Sequence, residues 1–181
     1  MLLKTKWCLL KVDYEAVIRS DMERLEIVVN EVVSKLNELR LQVATAESCT
    51  GGLLSATIVD VSGASAIFHE GYVTYSNEAK EKNLGISHDT LVKYGAVSSQ
   101  TAAEMAKGAA LRANAQMGIS TTGIAGPTGG TQEKPVGLVF IGCYFEGQVV
   151  TKEFHFTGNR QTVREQAVLA ALNLVREVLE R

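Results

Sequence analysis

The sequence predicts an α/β fold, a three-layer α/β/α sandwich around a mixed sheet with a late β-hairpin and a C-terminal helix. Three observations carry that expectation. Short runs of small and β-branched residues alternate with stretches of helical spacing, the pattern of strand–helix units. Two glycine-bearing segments, AESCTGG (46–52) and STTGIAGPTGG (120–130), each follow or end a strand-like run, where an α/β sheet hands the chain to a loop or helix. Near the end, VGLVFIGCYF and QVVTKEFHF flank Glu146-Gly147, a hairpin signal that adds antiparallel strands to a parallel pattern.

The elements follow in order. Residues 1–20 have no clear period and read as an N-terminal extension, either flexible or packed on a partner chain. Its opening, MLLKTKWCLL, is basic and apolar, but Asp13 and Glu15 follow and no small-residue cleavage site is evident, so it does not read as a leader. One domain is expected over residues 21–181. Leu25, Val28, Val29, Val32, Val33, Leu36 and Leu39 recur at three- and four-residue spacing and mark a helix, with Ser20 or Asp21 as its cap. LQVATAES suits a buried strand that ends in the first glycine motif, and LLSATIVDV a helix after it. FHEGYVTYS (68–76) reads as a second strand, with Ser76 and Asn77 capping a short helix that Gly85 closes. HDTLVKYG gives another short helix, and SSQTAAEMAKGAALRANA (98–115) a long Ala-rich one. MGISTTGIAGPTGG begins as a strand and becomes a loop; after the hairpin, an amphipathic helix with Asn159 as its cap ends the chain.

Composition bounds the function. The 181 residues suffice for one well-buried domain. A net charge of −2 supplies no field that would draw the chain to nucleic acid or an anionic membrane, and neither is expected as a partner. No apolar run approaches the ~20 residues of a spanning helix. Cys8, Cys49 and Cys143 form no CxxC, and His69, His88 and His155 no HxxxH, so no metal site is expected. Sparse, odd cysteines fit a reducing cytoplasm. An apolar face on the first or last helix serves a homo-oligomer interface or the core alike.

AESCTGG offers two nucleophiles, Ser48 and Cys49. A serine needs a base. None of the three histidines lies among other polar functional residues. A lysine serves instead if burial lowers its pKa. Lys80 stands one turn into the helix after the second strand, in the company of Tyr75, Ser76 and Asn77, whereas Lys82 faces another way. The competing reading of a lone helical lysine is a solvated charge. That of Cys49 is a small buried hydrophobe, and that of Tyr75 a core aromatic. Glu47 reads equally as a loop cap, a structural ion pair or a contact to a substrate hydroxyl. Neither glycine segment matches GxxxxGK[ST] or GxGxxG.

Read in order, AESCTGG, GYVTYSNEAK, GAVS, GIAGPTGG and EKPVG resemble the CinA C-terminal domain family, whose stand-alone members are nicotinamide-nucleotide amidases; the resemblance covers residues 24–181. It implies hydrolysis of nicotinamide mononucleotide, a small nucleotide substrate, to nicotinate mononucleotide and ammonia in pyridine nucleotide salvage. It implies no metal or organic cofactor. By the same resemblance Ser48 is the nucleophile, Lys80 its partner, and Tyr75 lies beside them. Glu47, Thr50, Gly51 and Asn77 are expected substrate contacts. Thr122, Gly123, Ala125 and Gly126 are expected to line the nucleotide site, with Arg160 and Arg164 for its phosphate and Lys134 as a further candidate. The larger family protein also has a nucleotide-pyrophosphatase-type domain, so only the amidase half is inferred. Two non-enzymatic readings stand beside it: a pyridine-nucleotide-binding protein that does not hydrolyse, and an interaction protein in competence or DNA damage.

Overall fold

Five strands pair into one sheet in the computed structural model, which describes residues 14–180, with side chains from residue 23 onward. They are β1 (Val43–Glu47), β2 (Phe68–Val73), β3 (Met117–Gly123), β4 (Leu138–Phe145) and β5 (Gln148–His155), in the order β2-β1-β3-β4-β5. β1 pairs in parallel with both β2 and β3, whereas β3–β4 and β4–β5 are antiparallel. The sheet is therefore mixed, as the sequence predicts. β1 lies inside the sheet between β2 and β3, and all five of its residues, VATAE, are buried. The β4–β5 hairpin turns on Glu146 and Gly147, both in the left-handed region at φ 49° and 82°, which is why a glycine suits the second position.

Helices cover both faces. On one lie α1 (Tyr14–Leu39), α2 (Leu53–Val59) and α6 (Arg160–Leu179), whose Val32, Leu36, Leu54 and Leu172 pack with Val43, Ile119 and Ile141 of the sheet. On the other lie α3 (Asn77–Ala79, widening into the turn Lys80–Leu84), α4 (His88–Tyr94) and α5 (Ser99–Ala113); Leu84, Leu91, Met105 and Ala109 meet Ala44 and Ala46. The Ala-rich face of α5 lets it press on the strands, and Gly118 and Gly142 complete the fit. A Cβ on Gly118 would overlap the Ala106 carbonyl oxygen, and one on Gly142 would come within 2.6 Å of that of Ala102.

Caps follow the sequence. Ser98 Oγ accepts from Thr101 N at the start of α5, Asn159 Oδ1 from Thr162 N at the start of α6, and Ser76 Oγ from Ala79 N at the start of α3. One boundary is corrected. The first helix is already formed at Tyr14, ahead of Ser20 and Asp21, because nothing in YEAVIRS breaks it. The rest of the expected extension, residues 1–13, lies outside the described residues. No helix among the described residues is long and apolar enough to cross a membrane.

Candidate active site

β1, β2 and β3 run parallel, so their C-terminal ends open on one edge of the sheet, where α/β folds hold ligands. Ser48 follows β1, Thr74 and Tyr75 follow β2, and the glycine loop follows β3. Ser48 N donates to Thr121 O at 2.9 Å and Thr74 N to Glu47 O at 2.9 Å, so the three strand ends are stitched together just where the motif residues emerge.

Glu47 explains the turn that carries Ser48. Its carboxylate is fully buried and accepts from Gly52 N (2.9 Å), Leu54 N (3.0 Å), Ser55 N (2.8 Å) and Ser55 Oγ (2.6 Å). Those amides are the unpaired donors at the start of α2, and a buried carboxylate is stable only with such partners. Arg164 holds the same turn from α6: Nε and Nη2 donate to Thr50 O at 3.2 and 2.5 Å. The hydroxyls of Thr50 and Thr121 meet at 2.6 Å. Among the described residues, the N–H groups of Cys49, Thr50 and Gly51 meet no backbone carbonyl.

Lys80 comes to this turn from the opposite side. Its side chain is fully buried, and Nζ donates to Ser48 Oγ at 3.1 Å, to Thr74 O at 2.7 Å and, at a long 3.5 Å, to Tyr75 O. Burial lowers its pKa from 10.5 to about 8. When the amine is neutral, two N–H groups suffice for the two carbonyls and the lone pair is left facing Ser48 Oγ. Cys49 sits next in sequence but is buried, and that burial pushes its thiol up to about 12, so it carries no thiolate at neutral pH.

The rim is made by other segments. Tyr75 is exposed rather than packed in the core, and Arg160 joins it to the glycine loop, donating from Nη2 to Tyr75 Oη at 3.3 Å and from Nη1 to Gly126 O at 3.0 Å. Asn77 and Gly51 are exposed close by in sequence, and Gly123 is half-buried at the end of β3.

The geometry shows which protein groups several of the expected contact residues already bond. Glu47 is an anchor of α2, since four donors occupy its buried oxygens. Thr122 is buried and spends its hydroxyl on Ala96 O at 2.7 Å, and Ala125 is packed in the core. Arg164 is half-buried on the Thr50 carbonyl, whereas Arg160, although it donates to Gly126 O and Tyr75 Oη, is exposed at the rim. Lys134 is also committed, with Nζ donating to Tyr94 O at 2.7 Å and Val97 O at 2.8 Å. Lys80, by contrast, is no solvated charge. Sequence reasoning missed Ser55, Thr121 and Thr74. Ser55 stands out as a serine in an apolar helix and Thr121 as half of a Thr pair, but the Thr74 contribution is a carbonyl, which no side chain signals. Among the described residues no cluster of His, Cys, Asp and Glu is arranged to hold a metal ion.

The profile of the CinA C-terminal domain matches residues 25–179. The chain belongs to the CinA C-terminal domain family. It is 55% identical over 157 residues to a Clostridium novyi protein named, by inference, as competence-damage inducible, covering 86% of this chain and 38% of that one. A CinA-like protein of Kosmotoga olearia is 52% identical over 148 residues, covering 82% and 36%. The chain thus spans well under half the length of these curated relatives. Among solved structures, the competence/damage inducible protein of Agrobacterium tumefaciens superposes with TM-score 0.84 at 40% identity, covering 87% of this chain and 96% of that one. A CinA superfamily protein of Escherichia coli gives 0.82 at 37%, covering 85% and 90%. The CinA fold assignment therefore rests on sequence and structure together.

Proposed function

We propose that this CinA domain is an amidohydrolase that converts nicotinamide mononucleotide to nicotinate mononucleotide and ammonia. The observation that carries the reading is the 3.1 Å approach of the buried Lys80 amine to Ser48 Oγ. A neutral amine takes the Ser48 proton as Oγ bonds to the carboxamide carbon. The resulting ammonium returns that proton to the leaving nitrogen as the C–N bond breaks. Water, deprotonated by the same amine, then cleaves the ester and releases the acid. The N–H groups of residues 49–51 are available to the tetrahedral oxyanion, each such donor typically worth ~3 kcal/mol. A cationic pyridinium ring close to Lys80 favours the neutral amine. Arg160, at the rim, is the candidate for the phosphate.

Ammonia release from nicotinamide mononucleotide, with Ser48→Ala as control, tests the reading. Turnover by the wild type that the substitution abolishes supports it, and turnover retained by Ser48→Ala dismisses Ser48. The relatives' names favour one other reading, an interaction role in competence or damage responses. In that case Ser48→Ala would keep the biological effect, and no ammonia would form.

A further inference from the structure

The Thr74 and Tyr75 carbonyls draw the Lys80 amine inward, but the turn that carries Lys80 needs support of its own. The helix begins normally at Ser76, then widens at Lys80–Leu84 into a turn in which Ile86 N reaches back to Lys80 O at 3.4 Å. Such single wide turns lack the stability of an α-helix and need outside support. The support comes from α5. Leu84 is buried against Met105 and Ala109. Between those two helix residues, Gly108 leaves a notch that the Leu84 backbone enters. A Cβ at Gly108 would overlap the Leu84 carbonyl oxygen and lie 3.1 Å from both the carbonyl carbon and Cβ of Leu84. A glycine in the middle of an Ala-rich helix costs ~1 kcal/mol relative to alanine, so its presence needs a packing reason.

We propose that Gly108 is a positioning residue for the Ser48–Lys80 pair: its notch seats the Leu84 carbonyl, and with it the wide turn that holds Lys80 against Ser48 and the Thr74 carbonyl. The assignment rests on the amidase reading for its effect on turnover, but not for its effect on Lys80. A methyl group at position 108 has to displace rigid backbone by about an ångström to regain ordinary contact distance. Lys80 lies on the same turn, four residues before Leu84, so the displacement reaches its amine. It stretches the 3.1 Å contact to Ser48 Oγ past hydrogen-bond range and admits water to a buried amine.

The test is Gly108→Ala, read in two ways. Ammonia release from nicotinamide mononucleotide is expected to lose ~10²-fold in kcat with little change in KM, the usual consequence of an ångström's misplacement. Independently of substrate, 13C-lysine NMR, with the Lys80 signal assigned by its loss in Lys80→Met, is expected to show the Lys80 titration moving up by about one pH unit as burial is relieved. Leu84→Ala, which introduces no backbone overlap, is expected to move the same titration upward and serves if Gly108→Ala does not fold. The proposal is overturned if the Lys80 titration stays in place in the folded variants, even where turnover falls, because a merely destabilised protein loses activity without re-solvating Lys80. If the wild type releases no ammonia, the amidase reading fails and the titration alone still decides the role of Gly108.

Discussion

The turn that carries Ser48 and the turn that carries Lys80 meet at one point but are held by different means. The first is held largely by near neighbours in sequence: Glu47 gathers amides of residues 52–55, and the strand end delivers Ser48 directly. The second is held from near and far: Lys80 Nζ donates to the Thr74 carbonyl just upstream, and Leu84 packs against Met105 and Ala109 of α5. The proposed nucleophile sits on a turn set mainly by its neighbours, with Arg164 as a remote brace, whereas the proposed base depends also on the packing of Leu84 on α5.

The largest expected effect on the first turn is that of Ser48→Ala, which removes the proposed attacking atom and should lower ammonia release by at least ~10³-fold while circular dichroism and the thermal melt stay as in the wild type. On the second turn, Lys80→Met should lower kcat by ~10²–10⁴-fold. It should also change how stability depends on pH. The folded amine titrates at about 8 and the unfolded one at 10.5, so between these values the unfolded chain binds the extra proton and wild-type stability rises with pH. Below about 8 both forms carry the charge and the penalty of burying it is fully present. Lys80→Met lacks this term, so its stability relative to the wild type should decline by about 3 kcal/mol from neutral pH to above 10.5, measured by denaturant melts.

Glu47→Gln sharpens the comparison from the local side. It turns a buried acceptor into a donor facing other donors, and should cost about 3 kcal/mol of stability in a urea melt. The smallest effect is expected of Cys49→Ser. The thiol is buried and held protonated at neutral pH, so turnover should stay within about threefold of the wild type. Iodoacetamide should leave the wild type active; inactivation that follows Cys49 labelling and vanishes in Cys49→Ser would assign the chemistry to sulfur instead.

The same contrast governs what could be read from the sequence. The strand order of events, the hairpin at Glu146-Gly147 and the caps at Ser76, Ser98 and Asn159 are local, and each is visible in a few adjacent residues. Glu47 and Ser48 were visible as a motif, but the motif did not say which carboxylate oxygens the α2 amides would consume. Arg160 and Arg164 look equivalent in NRQTVR. Only the fold shows that one reaches the rim and the other is spent on the Thr50 carbonyl. The partners of Thr122 and Lys134 were hidden for the same reason, since Ala96, Tyr94 and Val97 supply carbonyls far along the chain. Ser20 is a tempting cap, but it carries no weight when the residues before it, from Tyr14, also favour helix.

The central claim, that a neutral lysine amine deprotonates Ser48, is tested most directly by the pH dependence of kcat/KM for ammonia release from nicotinamide mononucleotide. The account predicts a rate that climbs with pH and levels off above about 8, with that limb absent from the residual activity of Lys80→Met. A wild-type profile that is flat from about pH 6 to 9, or a limb that survives the loss of Lys80, would contradict it.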